Sequence, residues 1–169
     1  MLTLAILTYA AAMTAANLIL AGAIGKWGPS VIGIVSPINA FFLIGLDLAL
    51  RDVLHVRLRW WQMLALIGSS GALTYLLNPA AGRIAVASAC AFTAAALVDW
   101  AAFSRLRGAW LRRSNGSNIA GALGDSLVFP TIAAKALLPD VIAMQFAAKV
   151  AGGAVWAWAL RRRGAVAAT

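Results

Sequence analysis

Six apolar stretches take up nearly the whole chain, near Leu2–Ala23, Val31–Leu54, Trp61–Leu77, Ile84–Phe103, Ile119–Leu138 and Val141–Leu160. Each is close to the ~20 residues that an α-helix needs to cross hydrocarbon. The breaks carry turn chemistry: Gly25 through Ser30, Asn78-Pro79 with Gly82, Ser114-Asn115-Gly116-Ser117, and Pro139-Asp140. Gly, Pro and Asn stop helices for steric reasons. The pattern predicts six helices joined by short loops, in one domain over residues 1–169. The expected fold is an all-α membrane protein, a six-transmembrane-helix bundle.

Composition supports this. The chain is 63% hydrophobic and 11% charged, whereas a soluble domain averages about 25% charged residues. A water-soluble fold with so few polar residues could not cover its surface, and lipid removes that need. The net charge is +9, from three Lys and eleven Arg against five Asp and no Glu. The positives sit in short clusters between apolar runs, so a nucleic-acid partner is not expected.

The clusters set the topology. Arg57 and Arg59 lie between the second and third stretches. Arg105, Arg107, Arg112 and Arg113 lie between the fourth and fifth, and Arg161, Arg162 and Arg163 follow the sixth. The other connections hold only Lys26, Arg83 and Asp140. Short basic loops stay in the cytoplasm. Six spans with both termini cytoplasmic put every rich cluster on that side.

Some polar residues sit where lipid would reject them. An ionisable group inside a span faces the bundle interior and marks a site. The second span holds Asp47 and Arg51, four apart on one face with the acid first, the favourable order for a pair. The fourth holds Asp99, the fifth Asp125 and Lys135, and the sixth Gln145 and Lys149. With the fifth helix starting near Ile119, Asp125 falls about 10 Å from its cytoplasmic end at ~1.5 Å per residue. Asp47, Asp99 and Asp125 would then share one region with Arg51 and Lys149, leaving one carboxylate in excess. Lys135 is near the outer end and reads as structural. Asn118, Gly121 and Asp125 share a face, and Pro130 would leave the Ser126 carbonyl without its usual donor.

Other features read as packing. Gly68, Gly71, Gly121, Gly152 and Gly153 suit close helix contacts, and these faces also offer a homodimer contact. Trp27, Trp60, Trp61 and Trp110 look like interfacial belt residues, and interface anchoring is also expected of Trp100, Trp156 and Trp158. Cys90 reads as a buried small hydrophobe. His55 stands alone in a basic loop, so no metal and no cofactor is expected. No Ser–His pair or clustered carboxylate motif suggests an enzyme.

The chain resembles the queuosine precursor transporter family, also called the vitamin uptake transporter family. The resemblance rests on Asp47-Leu48-Ala49-Leu50-Arg51, on Arg83-Ile84-Ala85-Val86-Ala87-Ser88, and on Asp99 with Phe103-Ser104-Arg105-Leu106-Arg107. Ser117-Asn118, Asp125-Ser126-Leu127-Val128-Phe129, Lys149-Val150 and Asn17 continue it. The sequence departs in its trimmed loops, and Arg51-Asp52 stands where many members carry a Glu. The resemblance implies a multi-pass inner-membrane importer, embedded in the lipid bilayer, of 7-deazaguanine bases such as 7-cyano-7-deazaguanine, a purine-like substrate bound in an intramembrane polar pocket. The expected substrate-contacting set is Asp99, Asp125, Asn118, Lys149, Asp47, Arg51, Asn17, Asn39 and Gln145. A guanine-like base offers two adjacent N–H donors that one carboxylate can accept. Asp125 or Asp99 would take that edge, and Asn118 or Lys149 the carbonyl. The alternative is the substrate-binding subunit of an energy-coupling-factor vitamin transporter, for which the small-residue ridge of Ala11, Ala12, Ala15 and Ala16 would dock a partner helix.

Overall fold

The computed structural model describes residues 2–162, and these are almost wholly helical. Arg163, the last residue of the terminal arginine run, lies outside the described residues. The helices are α1 (Leu2–Trp27), α2 (Ile32–Asn39), α3 (Gly45–His55), α4 (Trp60–Leu77), α5 (Gly82–Arg105), α6 (Trp110–Ala134) and α7 (Pro139–Arg162). A π-helical stretch, Ala40–Ile44, joins α2 to α3 without a break. The described residues therefore form six long rods and contain no strand, as the all-α expectation requires.

Four segments are long and apolar enough to cross a membrane: Leu2–Trp27, Ile32–His55, Pro79–Arg105 and Pro139–Arg162. The other two rods are more polar. α4 opens on Trp60-Trp61-Gln62 and carries Ser69-Ser70, and α6 opens on Arg112 through Asn118. In α6 the cause is visible, because Ser114, Ser117 and Asn118 are buried inside the bundle. Their polarity faces other helices.

The start of α6 corrects the sequence-based boundary. The helix begins at Trp110 rather than Ile119, and it ends at Ala134 rather than Leu138. Ser114 through Ser117, expected as a turn, is helical. Turn propensity is overridden because both serine hydroxyls donate to the Asp52 carboxylate of α3. The chain turns instead at Gly108, whose φ of 111° only glycine adopts readily. At its other end α6 passes through Pro130 and stops at Lys135, in the left-handed conformation.

Glycine sets the closest helix crossing. A Cβ built on Gly152 would overlap the Phe41 carbonyl, and one on Gly45 would lie 2.6 Å from the Gly152 carbonyl carbon. α7 therefore meets the π-helical stretch backbone to backbone. Trp156 fixes this contact by donating its indole N–H to the Phe42 carbonyl at 2.9 Å. Trp156 is half-buried, so this contact ties an outer face of α7 to the π-helical stretch. Gly121 and Gly153 also sit against neighbouring side chains, those of Asp99 and Asn118. Gly68 has nothing within 4 Å and faces outward, contrary to the expected contact.

Trp27, Trp60 and Trp61 are exposed. Trp110 is not a belt residue; it is 7% exposed and packs with Val53, Phe103 and Ala157. Cys90, expected inside, lies on the exposed face of α5. His55 ends α3 rather than lying in a loop, with its ring 5.0 Å from that of Phe103. Arg113 donates to the Phe103 carbonyl and stacks on its ring. These contacts gather the ends of α3, α5 and α6, with their arginines, at one end of the bundle.

The radial distribution is inverted relative to a water-soluble protein. Leu4, Leu7, Ile34, Leu76, Leu77 and Val86 are exposed, while Asp47, Arg51, Asp52, Asp99, Asp125 and Lys149 are buried. A soluble monomer rarely exposes an extended apolar surface, and charged residues are almost never fully buried unless paired. Lipid outside and a charged interior account for both.

Candidate substrate site: two charged layers in the bundle

The interior charges fall into two adjoining groups, each built on one ion pair, with Asp47 and Arg51 of one still within electrostatic reach of Asp125 of the other. In the first, Lys149 Nζ lies 2.6 Å from Asp125 Oδ2. The same ammonium donates to Gln145 Oε1 at 2.8 Å and Ser126 Oγ at 3.2 Å. A lysine has three N–H donors, so Lys149 is saturated. Gln145 in turn donates to Ser36 Oγ at 2.7 Å. Asn39 donates to the Ala16 carbonyl at 2.8 Å, Asn17 to Thr74 Oγ1 at 3.4 Å, and Ser88 to Asn17 Oδ1. Of these, the Asp125, Lys149, Gln145, Ser36, Asn39, Asn17 and Ser88 side chains line a chamber of about 30 Å³ together with Phe92 and Phe129. That is room for a water or two.

The second layer lies toward the arginine-rich end. Arg51 Nη2 donates to Asp47 Oδ2 at 2.6 Å, the i,i+4 pair that the spacing predicted. Its Nε and Nη1 have no partner, and neither has the nearby Tyr9 hydroxyl. Asp52, on the next face of α3, accepts from Ser114 and Ser117 of α6. Asp99 of α5 faces Arg51, Asp52 and Ser117. It is 0% exposed, and neither carboxylate oxygen receives a hydrogen bond. Gly121 lets α6 approach to within 3.2 Å of the Asp99 Cβ, measured from a Cβ built on the glycine. Arg51 and Asp99 line a larger cavity of about 220 Å³, shared with His55, Trp60, Met63 and Trp100.

Five of the nine expected residues, Asn17, Asn39, Asp125, Gln145 and Lys149, meet at the first chamber. Asp99 and Arg51 meet at the second cavity, with Asp47 held by Arg51. Asn118 is buried against Gly153 with both amide atoms unpartnered, and it lines neither cavity. Arg51 lies within electrostatic reach of Asp47, Asp99 and Asp125, and Lys149 of Asp125 and Asp47, so these five charges occupy one connected region. What changes is depth: α6 starts nine residues early, so Asp125 is about 22 Å from that start at ~1.5 Å per residue.

Asp52 was not among the expected contacts, although it carried the same signal as Asp47, a carboxylate in an apolar run. Its burial changes the charge sum. Asp47, Asp52, Asp99 and Asp125 oppose only Arg51 and Lys149 among these buried groups. Each cation holds one carboxylate, so Asp52 and Asp99 have none.

An apolar exterior, membrane-length helices and a charged, hydrogen-bonding interior with cavities define a multi-pass membrane protein with a polar site between its helices. The family model described as "Putative vitamin uptake transporter" matches residues 3–161, and the chain belongs to that family. This is the family whose motifs the sequence resembles. No curated protein and no solved structure gives a significant match.

Proposed function

We propose that the protein imports queuosine precursors, 7-deazaguanine bases such as 7-cyano-7-deazaguanine, across the inner membrane. All six rods cross the bilayer, with both chain termini on the arginine-rich, cytoplasmic side. The base binds in the central chamber. One observation carries this reading: a carboxylate and an ammonium 2.6 Å apart, Asp125 and Lys149, line a buried chamber that Phe92 and Phe129 also line. A guanine-like edge presents N–H donors beside a carbonyl acceptor. An acceptor next to a donor is its complement, and charged partners strengthen both bonds.

At about 30 Å³ the chamber is closed around its own hydrogen bonds. A base is several times larger than this space, so the helices that line it move apart as the base takes over the bonds that Gln145 and Ser126 make to Lys149. It therefore exchanges one satisfied network for another, as a carrier that must release its cargo requires. Membership of a vitamin uptake family supports the transport role; the deazaguanine substrate is inferred from the chemistry of the chamber and the motifs.

The test is uptake of labelled 7-cyano-7-deazaguanine into liposomes holding only the purified protein. Transport without an ATPase module is expected. Asp125→Asn and Lys149→Ala are each expected to lower it at least tenfold. Near-normal uptake by both variants would overturn the assignment.

A further inference from the structure

We propose that the 220 Å³ cavity at the arginine-rich end is a second station for the same base, with Asp99 and Arg51 as its hydrogen-bonding edge. This rests on the central chamber being the first station. The base passes from the chamber to the cavity before release.

The cavity has more free valences than the chamber, where Asn39 Oδ1 is the unpartnered buried side-chain atom among the described residues. Asp99 has two carboxylate oxygens without a donor, and Arg51 has Nε and Nη1 without an acceptor. Both side chains are at least 98% buried, and both line the cavity. Buried polar groups in folded proteins are nearly always hydrogen-bonded, and a bare carboxylate beside a half-used guanidinium is a standing demand for a ligand. The ligand must donate to the carboxylate and accept from the guanidinium. The edge of a guanine-like base does both, and each contact is charge-assisted. Trp60 and Trp100 supply aromatic faces for a planar ring. A lipid tail in the same space would leave Asp99 and Arg51 unpaired.

The two spaces are neighbours along a path. Phe92 lines the chamber, and the Arg51 guanidinium lies 5.9 Å from the centre of its ring. Arg51 in turn lines the cavity. One phenyl ring and one guanidinium therefore stand between the stations. Trp60 and Trp100 are both exposed, so the cavity reaches the outside of the bundle beside the start of α4. The Arg51 bond to Asp47 holds the guanidinium in this position. A base leaving Lys149 meets Arg51 next.

The test titrates the purified protein with 7-cyano-7-deazaguanine while following tryptophan fluorescence, thermal stability and liposome uptake. Trp60 and Trp100 line the cavity and no tryptophan lines the chamber. Quenching by the base is expected in the wild type and in Asp125→Asn, and is expected to be lost in Asp99→Asn. Asp99→Asn is still expected to be thermally stabilised by the base, through the chamber, while its uptake falls at least tenfold. Wild-type quenching and uptake in Asp99→Asn would overturn the second station and leave the first standing. Complete loss of thermal stabilisation in Asp99→Asn would show a single site and also overturn it. If the wild type binds no base, the proposed function fails and the second station with it. Should Asp99→Asn not fold, Leu97→Trp narrows the cavity from its exposed wall and leaves Asp99 and Arg51 themselves unsubstituted. That variant is expected to keep base-induced stabilisation and lose uptake tenfold, and wild-type uptake by it would overturn the proposal.

Discussion

Replacing Gly152 by Ala puts one methyl group where α7 crosses the π-helical stretch. The new Cβ would overlap the Phe41 carbonyl oxygen and lie 2.8 Å from its carbon and 2.9 Å from its Cα. All three are backbone atoms, so no side-chain rotation relieves the clash and the two rods must separate. Overpacking costs roughly 1–3 kcal/mol, and backbone displacement belongs at the upper end. Alanine recovers about 1 kcal/mol of helix propensity relative to glycine. The net loss is then about 2 kcal/mol. For a chain of this size about 1 kcal/mol corresponds to roughly 2–4 °C in Tm, so a fall of about 4–8 °C is expected. Gly68→Ala is the control, because nothing lies within 4 Å of that position. It gains the propensity alone and is expected to hold or raise Tm. Thermal unfolding of the purified protein in detergent measures both. If Gly152→Ala melts within about a degree of wild type, or Gly68→Ala loses as much, the backbone crossing is not what holds α7 in place.

Lys149→Met leaves Asp125 buried without its cation and is expected to cost about 3–5 kcal/mol, whereas Lys149→Met with Asp125→Leu is expected to recover much of that; additive losses in chemical denaturation would refute the pairing. Asp52→Ala strips the acceptor from Ser114 and Ser117. Ser117 keeps its bond to the Ser114 carbonyl at 3.1 Å, so the expected loss is about 2 kcal/mol, with Asp52→Asn milder; equal losses for the two would show that charge rather than hydrogen bonding ties α3 to α6. Trp156→Phe removes the bond to the Phe42 carbonyl and is expected to cost about 1 kcal/mol in the same measurement. No change would show that the carbonyl finds another donor.

The rods were legible where hydropathy is local. A run of Leu, Ala, Ile and Val longer than about 18 residues has few other uses, and five of the six rods keep their expected place within a few residues. α6 does not, because its first half is written in residues that solvent-exposed turns also use. Arg112 through Asn118 becomes helical only because Asp52, 62 and 65 residues away in sequence, accepts from its two serines. No local pattern contains that information. The π-helical stretch was equally silent. Pro37, the one irregularity beside it, predicts a disturbed ladder but not where the extra residue goes. Spacing alone did find the two i,i+4 contacts, Asp47 with Arg51 and Gln145 with Lys149. It could not find the partner of Lys149, since that depends on the axial offset between two helices.

That offset decides how charge is divided inside the bundle. Starting α6 nine residues earlier moves Asp125 about 13 Å along the axis at ~1.5 Å per residue. There Asp125 pairs with Lys149, while Asp47 remains within electrostatic reach of both. The chamber layer thereby becomes neutral, one carboxylate on one ammonium. The other layer holds Asp47, Asp52 and Asp99 against Arg51 alone, and Arg51 is committed to Asp47. The two carboxyl groups without a cation among these buried groups, Asp52 and Asp99, therefore both lie on the side of the larger cavity. Asp52 is stabilised there by two serine hydroxyls and Asp99 by none. A ligand that donates two hydrogen bonds would therefore gain most at Asp99, whose oxygens have no donor within hydrogen-bond distance.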